Sequence, residues 1–449
     1  MTLTLLVGML NLAFNVQRAK ASGTIYIRAD GSIEPPTAPM ESVDNVTYTL
    51  TGNIEGSIVV ERDNIVIDGV SHTVQGTGNG KGIDLSGRTD VKIKNVEIKT
   101  FEYGIWQQNS LNNSIYWSNI TGNSYCGIFQ TSDTTHTNIF GNNITTNNAI
   151  GIWLYGSDNS ISGNNITSNG DGIWLEMCSG TAILENNITA NSNDGIRLYL
   201  SSNCSVSGNN IIGHQHGIWL YESSNNSIYH NNLDNPIQVY DISWDYPQRT
   251  PSLNAWDNGS EGNYWSDYNG YDSDHDGIGD TPYFIDENNT DHYPLMGMFS
   301  SFNTSYGYAV DFVSNSSISD FSFNLSDIEV YPPEAILAFN VSGDSDTDGF
   351  LRVCIPKILI NGSYVIMFDG EIITNITYPQ VRELPCSNET YEYLYINYTH
   401  SEHTILINGT TTIPEFPSFL ILPLFMTLTL LTIIICKRRH TRKSCSTSL

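Results

Sequence analysis

Short apolar pieces recur along this chain at a nearly constant interval. The phrase Gly-Ile-x-Leu, with Gln in place of Leu in two copies, begins at Gly82, Gly104, Gly127, Gly151, Gly172, Gly195 and Gly217, at spacings of 22, 23, 24, 21, 23 and 22. A second column keeps the same step at Ile98, Ile120, Ile144, Ile166, Ile188, Ile211 and Leu233. A third runs through Ile93, Ile115, Ile139, Ile161, Ile183, Val206 and Ile228. The pieces are two to four residues long, β-branched, and separated by Asn, Gly and Ser, which is a short-strand pattern and not a helical one. A fixed period of this length means stacked identical units. The Leu-x-x-Leu-x-Leu spacing of a leucine-rich repeat is missing. The pattern therefore predicts an all-β chain built on a right-handed parallel β-helix, each strand pairing with its copy one turn away at ~4.8 Å.

Asn has a matching place in the repeat. Asn119, Asn143, Asn165, Asn187, Asn210 and Asn232 form one column, and stacked amides can bond one another along the axis. Asn also tolerates the left-handed conformations of tight corners. The chain holds 19 Asn-x-Ser/Thr sequons, four of them at Asn119, Asn143, Asn165 and Asn187. A laddered amide cannot carry a glycan, so Asn361, Asn397 and Asn408 in the distal region are the better acceptors of a glycoprotein.

The repeat predicts a β-helix over 22–238 and a cap over 239–299. Residues 300–412 change style. Alternating segments at Ala309–Val313, Ser319–Leu325, Ala335–Val341, Leu351–Ile355, Tyr364–Phe368 and Tyr391–Tyr398 predict a β-sandwich stalk. At the N-terminus an apolar stretch followed by Ala19-Lys20-Ala21 reads as a secretory signal over 1–21, although no cation precedes it, and a buried strand is the alternative. At the other end, 413–449 reads as a membrane anchor. Residues 419–436 hold no charge and just suffice to span a bilayer, and Lys437-Arg438-Arg439 follow directly. That basic tail places the C-terminus in the cytoplasm and the body at the cell surface.

Composition sharpens this picture. The chain carries 19 Lys+Arg against 47 Asp+Glu, a net charge of −28. Two cations lie in the leader and five in the tail, so residues 22–418 stand at about −35. Such a surface excludes nucleic acid as a partner, since phosphates need neutralising cations. It suits salt- or calcium-rich surroundings.

Three groups of residues carry candidate chemistry. With Ile inward, the next residue of each Gly-Ile phrase points outward, giving Trp106, Phe129, Trp153, Trp174, Arg197 and Trp219 after Asp84. Two positions on stand Gln108, Thr131, Tyr155, Glu176, Tyr199 and Tyr221. An exposed aromatic strip marks a binding surface, and flat rings suit the C–H faces of sugars. Cover by another part of the chain, or a different partner, are the alternatives. Asp272-Ser273-Asp274-His275-Asp276-Gly277-Ile278-Gly279-Asp280 places oxygen ligands at loop positions 1, 3, 5 and 9 with Gly at 6, so Asp272, Asp274, Asp276 and Asp280 predict a Ca2+ loop. Tyr283 stands where an EF-hand has Glu. Asp344-Ser345-Asp346-Thr347-Asp348-Gly349 repeats the opening but puts Arg352 at position 9 and reads as a turn. Asp171 and Asp194, just before Gly-Ile in adjacent turns, are the weak candidates for a catalytic carboxylate pair; ordinary turn residues are the favoured reading. His214, His216 and His230 could meet as copper ligands, but solvated corner histidines are expected instead. Cys354 and Cys386 share the distal domain and could form a disulfide.

The Gly-Ile-Trp-Leu and Asn-Asn-Ile-Thr turns resemble the NosD-type β-helix family, also known as carbohydrate-binding and sugar-hydrolysis repeats, on a pectin-lyase-like fold. Thr24–Ser32 and Asn263-Tyr264-Trp265-Ser266-Asp267-Tyr268 are similar to archaeal members, and the resemblance spans about residues 24–298. It implies the fold strongly and, by analogy with a nitrous-oxide-reductase maturation factor, a copper role. Glu415-Phe416-Pro417-Ser418 before the apolar segment resembles the Pro-Glu-Phe sorting signals of archaeal surface proteins, which implies removal of the segment by a sortase-like enzyme; a plain single span is the alternative. The closing Tyr398–Ile405 run resembles a domain recurrent in archaeal surface proteins. Together these readings predict a surface-anchored β-helix protein that binds glycans or envelope partners without catalysis. The rivals are a polysaccharide lyase or glycoside hydrolase using the same strip, and a copper-binding factor.

Overall fold

The computed structural model describes residues 23–246, 248–325, 334–374 and 379–410. The expected leader and membrane anchor, with the apolar residues 419–436 and the basic tail, lie outside them. Among the described residues no helix is long and apolar enough to cross a membrane.

The repeat folds as a right-handed parallel β-solenoid of three long sheets, of eleven, ten and ten strands. Register follows the sequence columns. Ile105 pairs with Ile83 and Ile128 in the first sheet, Ile115 with Ile93 and Ile139 in the second, and Ile120 with Ile98 and Ile144 in the third. All three columns point inward and are fully buried. Each such Ile contributes roughly 1.5–3 kcal/mol relative to an exposed one.

The invariant Gly of the phrase has a steric cause. A Cβ on Gly151 would meet the carbonyl oxygen of Gly172, one turn on, at 2.7 Å, and one on Gly172 would meet that of Gly195 at 2.5 Å. These glycines face the interior where successive turns touch backbone to backbone. The pairing skips them, passing from Ile150↔Asp171 to Ile152↔Ile173, so the residues on both sides of the Gly-Ile pair face outward.

Asn serves in two kinds of ladder. The expected outer one exists: Asn143 donates to Asn119 at 2.9 Å, Asn165 to Asn143 at 2.8 Å and Asn187 to Asn165 at 2.9 Å. The larger part lies one residue earlier and inside. Asn142, Asn164, Asn186, Asn209, Asn231 and Asn263 are buried, each amide donating to the next. Asn164 shows the pattern. Its Nδ2 donates to the Ile139 and Ser162 carbonyls and to Asn186 Oδ1, and its Oδ1 accepts from the backbone and side chain of Asn142. A second inner ladder runs through Asn123, Asn147, Asn169 and Asn191 to His214. These amides satisfy the corner peptides that a dry core cannot.

The distal domain is two packed five-stranded antiparallel sheets. All six segments expected there are strands, among them Ala309–Ser314, Glu334–Ser342 and Tyr391–Thr399. Met298–Asn303, Glu371–Ile372, Gln380–Glu383 and His403–Thr410 complete the sheets. Its core gathers Phe312, Leu337, Phe339, Leu351, Val353 and Ile396.

The sandwich docks on the end of the solenoid through an apolar cluster of Leu295, Phe299 and Val313, with Ile278 and Phe350 packed on it, and through specific polar contacts. Asn232 hydrogen-bonds the backbone of Phe299, whose ring stacks on His230 at 4.1 Å. The buried Arg352 donates to Glu261 at 2.6 Å and to the Asp276 carbonyl at 2.7 Å. Arg382 donates to the carbonyls of Asp274 and His275.

Candidate functional site

The outer face of the first sheet carries three columns. One reads Tyr103, Cys126, Ile150, Asp171, Asp194, His216; the next Trp106, Phe129, Trp153, Trp174, Arg197, Trp219; the third includes Tyr155, Glu176, Tyr199 and Tyr221. The structure thus assembles the expected strip. The sandwich makes its contacts elsewhere, at His230, Asn232, Glu261 and the 272–280 loop.

The geometry of the strip differs from the flat platform expected of it. Parallel strands bring column neighbours face to face, so the rings stack on one another. Trp106 lies on Phe129 with centroids 4.6 Å apart and Trp153 on Trp174 at 4.7 Å, with Phe129 meeting Trp153 edge-on. The Arg197 guanidinium is held between Trp174 at 4.3 Å and Trp219 at 4.0 Å, and Lys81 covers the end of the row over Trp106. In the third column Tyr199 stacks on Tyr221, over which Arg249 reaches. Ring faces are spent on neighbours, each pair worth roughly 0.5–1.5 kcal/mol beyond its burial. What the strip presents outward is ring edges, phenol groups and Glu176, which accepts the Trp153 indole N–H at 3.2 Å. Trp219 and Tyr221 are nearly enclosed, at 6% and 8% exposure.

Asp171 and Asp194 sit beside this ladder and are brought together, the Asp171 carboxylate accepting the Asp194 backbone N–H at 3.2 Å. Both are buried. Their charge is answered locally: Arg197 approaches Asp194 at 3.6 Å and Asp171 at 4.0 Å, and His216 Nδ1 lies 2.7 Å from Asp194 Oδ1 while its ring stacks on Tyr240. Burial, then the charge of Asp194, pushes the Asp171 carboxyl upward. They are thus not ordinary turn residues but parts of a buried ionic cluster. Arg197, the lone cation of the central repeats, belongs to strip and cluster at once.

In the acidic loop, oxygens of Asp272, Asp274 and Asp276 lie within 4.8 Å of one another. The Asp272 carboxylate accepts the Asp276 and Gly277 N–H groups, which folds the loop, and burial raises both Asp272 and Asp276. Asp280 is not in the cluster: it is exposed and accepts the Ser273 N–H at 2.8 Å. The Asp344 segment is a turn entering the strand Asp348–Pro356.

The histidines do not converge. His214 is not a solvated corner residue; it is buried at 2% exposure as a member of the inner ladder. Its Nδ1 accepts the Asn191 N–H at 3.2 Å and its Nε2 faces the Ile188 carbonyl at 3.0 Å, and burial lowers its pKa. Both nitrogens of a neutral ring are thereby used. His216 serves Asp194, and His230 bonds Glu261 at 2.8 Å. These donors do not fit a copper site, which needs imidazole nitrogens free to point at one centre.

Cys354 and Cys386 are both free, so the expected disulfide is not formed. Cys354 pairs across the ladder with Tyr393, whereas the Cys386 sulfur faces Arg352 at 3.8 Å. Sequence reasoning also missed the group His230, Glu261 and Arg352. The single Arg in an otherwise apolar strand, Leu351–Ile355, is the signal that could have found it.

A family profile described as periplasmic copper-binding protein (NosD) matches residues 60–270. No curated protein sequence matches the chain. Among solved structures, similarity is found to a mutant of the periplasmic alginate epimerase AlgG (16% identity over 51% of this chain and 74% of that one, TM-score 0.36). The Azotobacter vinelandii mannuronan C-5 epimerase AlgE4 A-module is similar at 16% identity over 54% and 80%, TM-score 0.35. The enzymatically active domain of bacteriophage CBA120 tailspike protein 2 is similar at 11% identity over 87% and 73%, TM-score 0.42.

Proposed function

We propose that this chain is an extracytoplasmic β-helix protein that binds an extended glycan along the outer face of its first sheet and does not transform it. The observation that carries this reading is the row from Trp106 through Phe129 and Trp153 to Trp174 on the outer face of the sheet, flanked by Tyr155, Glu176 and Tyr199. A rigid row of ring edges and hydroxyls fits a polymer lying along the axis better than a small molecule in a pocket. The periplasmic family description and the N-terminal leader support an address outside the cytoplasm. The apolar segment 419–436 with its basic tail would hold the protein to the membrane as a single span or a sorting signal. The Asp272, Asp274 and Asp276 cluster would take Ca2+, supplying charge neutralisation where the sandwich meets the loop.

The test is a glycan array probed with the protein and its Trp153→Ala and Trp174→Ala variants. Loss of signal in both supports the reading; full retention in both overturns it. A second reading, a glycan-cleaving enzyme, is favoured by one observation, the raised Asp171 carboxyl beside Asp194 on the same face. New reducing ends or unsaturated products from polysaccharide, abolished in Asp171→Asn, would establish it.

A further inference from the structure

An open cleft of about 810 Å³ lies between the solenoid and the sandwich, beside their contact at Asn232. Its solenoid wall carries Glu185, Ser207, Asn210 and Tyr229, and its sandwich wall Phe302 and Asp311. It lies on the second and third sheets, away from the aromatic strip.

Three features separate this cleft from the rest of the solenoid surface. First, the outer Asn ladder breaks here. Asn187 bonds Asn165 and Asn232 bonds Asn210, but no bond joins Asn210 to Asn187. Asn210 lines the cleft, its Oδ1 accepting from Asn232 while its Nδ2 makes no ladder bond. Second, no other ring stacks on Tyr229. Elsewhere in its column Tyr116 and Phe140 stack at 4.8 Å and 5°. The neighbour of Tyr229 one turn back is Ser207, too small to cover it, and its one ring contact is edge-on with His230. Third, the cleft holds two carboxylates and no Lys or Arg. Asp311 accepts the Ser301 hydroxyl at 2.6 Å, and Glu185 is exposed; the nearby His230 is committed to Glu261.

An unstacked aromatic ring beside an amide outside the ladder and two acceptor carboxylates matches a ligand with one apolar C–H face and a rim of hydroxyls. An anionic ligand would meet Glu185 and Asp311 with no cation to answer it. We propose that the cleft binds a neutral oligosaccharide, one pyranose ring lying on Tyr229 with its hydroxyls bonded by Asn210, Glu185 and Asp311. This site is independent of the strip and draws half its wall from the sandwich, so a glycan held there also senses how the two domains sit.

The test is calorimetric titration of the full-length protein with cellohexaose, chitohexaose, mannohexaose and trigalacturonate. At least one neutral hexamer binds, and trigalacturonate binds at least tenfold more weakly. Tyr229→Ala weakens binding tenfold or more. Ser207→Tyr does the same by laying a ring on Tyr229, as Phe140 lies on Tyr116, and it keeps the packing that Tyr229→Ala removes. Val43→Ala, an exposed change far from the cleft, leaves this affinity unchanged. The proposal is overturned if no neutral hexamer binds, or if affinity survives both cleft variants. It is equally overturned if trigalacturonate is preferred, or if Trp174→Ala and not the cleft variants removes binding, which would assign the ligand to the strip.

Discussion

The side-chain amide of Asn232 holds the backbone of Phe299 at both of its polar groups: Nδ2 donates to the Phe299 carbonyl at 2.8 Å, and Oδ1 accepts the Phe299 N–H at 2.7 Å. One side chain thus stands in for a strand partner and fixes the first strand of the sandwich to the last turns of the solenoid. Asn232→Leu leaves both peptide groups of Phe299 unpaired in a buried contact, at about 1–3 kcal/mol each. The expected result is uncoupling of the domains, seen as two calorimetric transitions where the unaltered protein gives one, together with faster proteolysis between them.

The same junction predicts a pH dependence. Burial alone would raise Glu261, but the His230 hydrogen bond and the Arg352 charge outweigh it and hold the carboxyl at about 2. A depressed carboxylate contributes stability that is full above its unfolded value of about 4.5 and is lost as pH falls toward 2, here of the order of 3 kcal/mol. Acid titration of unfolding stability should show a loss in that window, and Glu261→Gln should flatten it. An unchanged profile in Glu261→Gln would count against this role of the His230, Glu261 and Arg352 group.

The two Asn ladders should differ in worth. Asn164→Ala strips a buried amide of five hydrogen bonds and leaves corner peptides orphaned, so a loss of about 2–4 kcal/mol is expected. Asn165→Ala, on the outer ladder, should cost under about 1 kcal/mol. Denaturant midpoints of the two variants decide between them, and equal losses would contradict the division of labour.

Glycan occupancy follows from the same bonds. The Nδ2 atoms of Asn143, Asn165 and Asn187 already donate along the outer ladder. Glycopeptide mass spectrometry should find these three sequons bare.

The acidic loop predicts a metal-linked shift in melting. Asp272 and Asp276 are raised by burial, so without a cation their contribution declines as pH rises through the carboxylate range. Calcium bound there would reverse that trend, adding about 2.7 kcal/mol at one hundred times its dissociation constant. Scanning calorimetry with calcium and with chelator at pH 7 measures the shift; Asp274→Asn should reduce it, and no shift in the unaltered protein would sink the assignment.

The solenoid was legible because its signal is purely periodic. A column such as Ile120, Ile144, Ile166 needs only counting, and inward Ile is the one outcome that buries it. Stacking was not legible, because periodicity says which way Trp153 points but not that Trp174 will lie on its face. Nor could polarity say which Asn of an Asn-Asn pair turns inward: the outer Asn165 was visible, while the buried Asn164 beside it forms more hydrogen bonds. His214 reads as a solvated corner because it stands in a polar turn, and only the pairing shows an imidazole replacing an amide of the inner ladder. The Cys354 and Cys386 pairing failed for a related reason. Shared membership of a domain does not make two side chains face each other, and here Tyr393 and Arg352 take those positions. The contact of Arg352 with Glu261 joins residues 91 apart and leaves no local trace.

The backbone contact at the glycine column also bears on how such a chain can change length. Turns that meet only their neighbours, in unbroken register, form a lattice from which a whole layer can be taken. Removing residues 143–164 would join Asn142 to Asn165, delete one strand from each sheet, set Trp174 beside Phe129 and shorten the body by about 4.8 Å. Removing a number of residues that does not match the turn it spans would instead put a side chain where a glycine must be. The reach of the molecule is therefore inherited in whole-turn steps, as a tape is cut between marks and not through them.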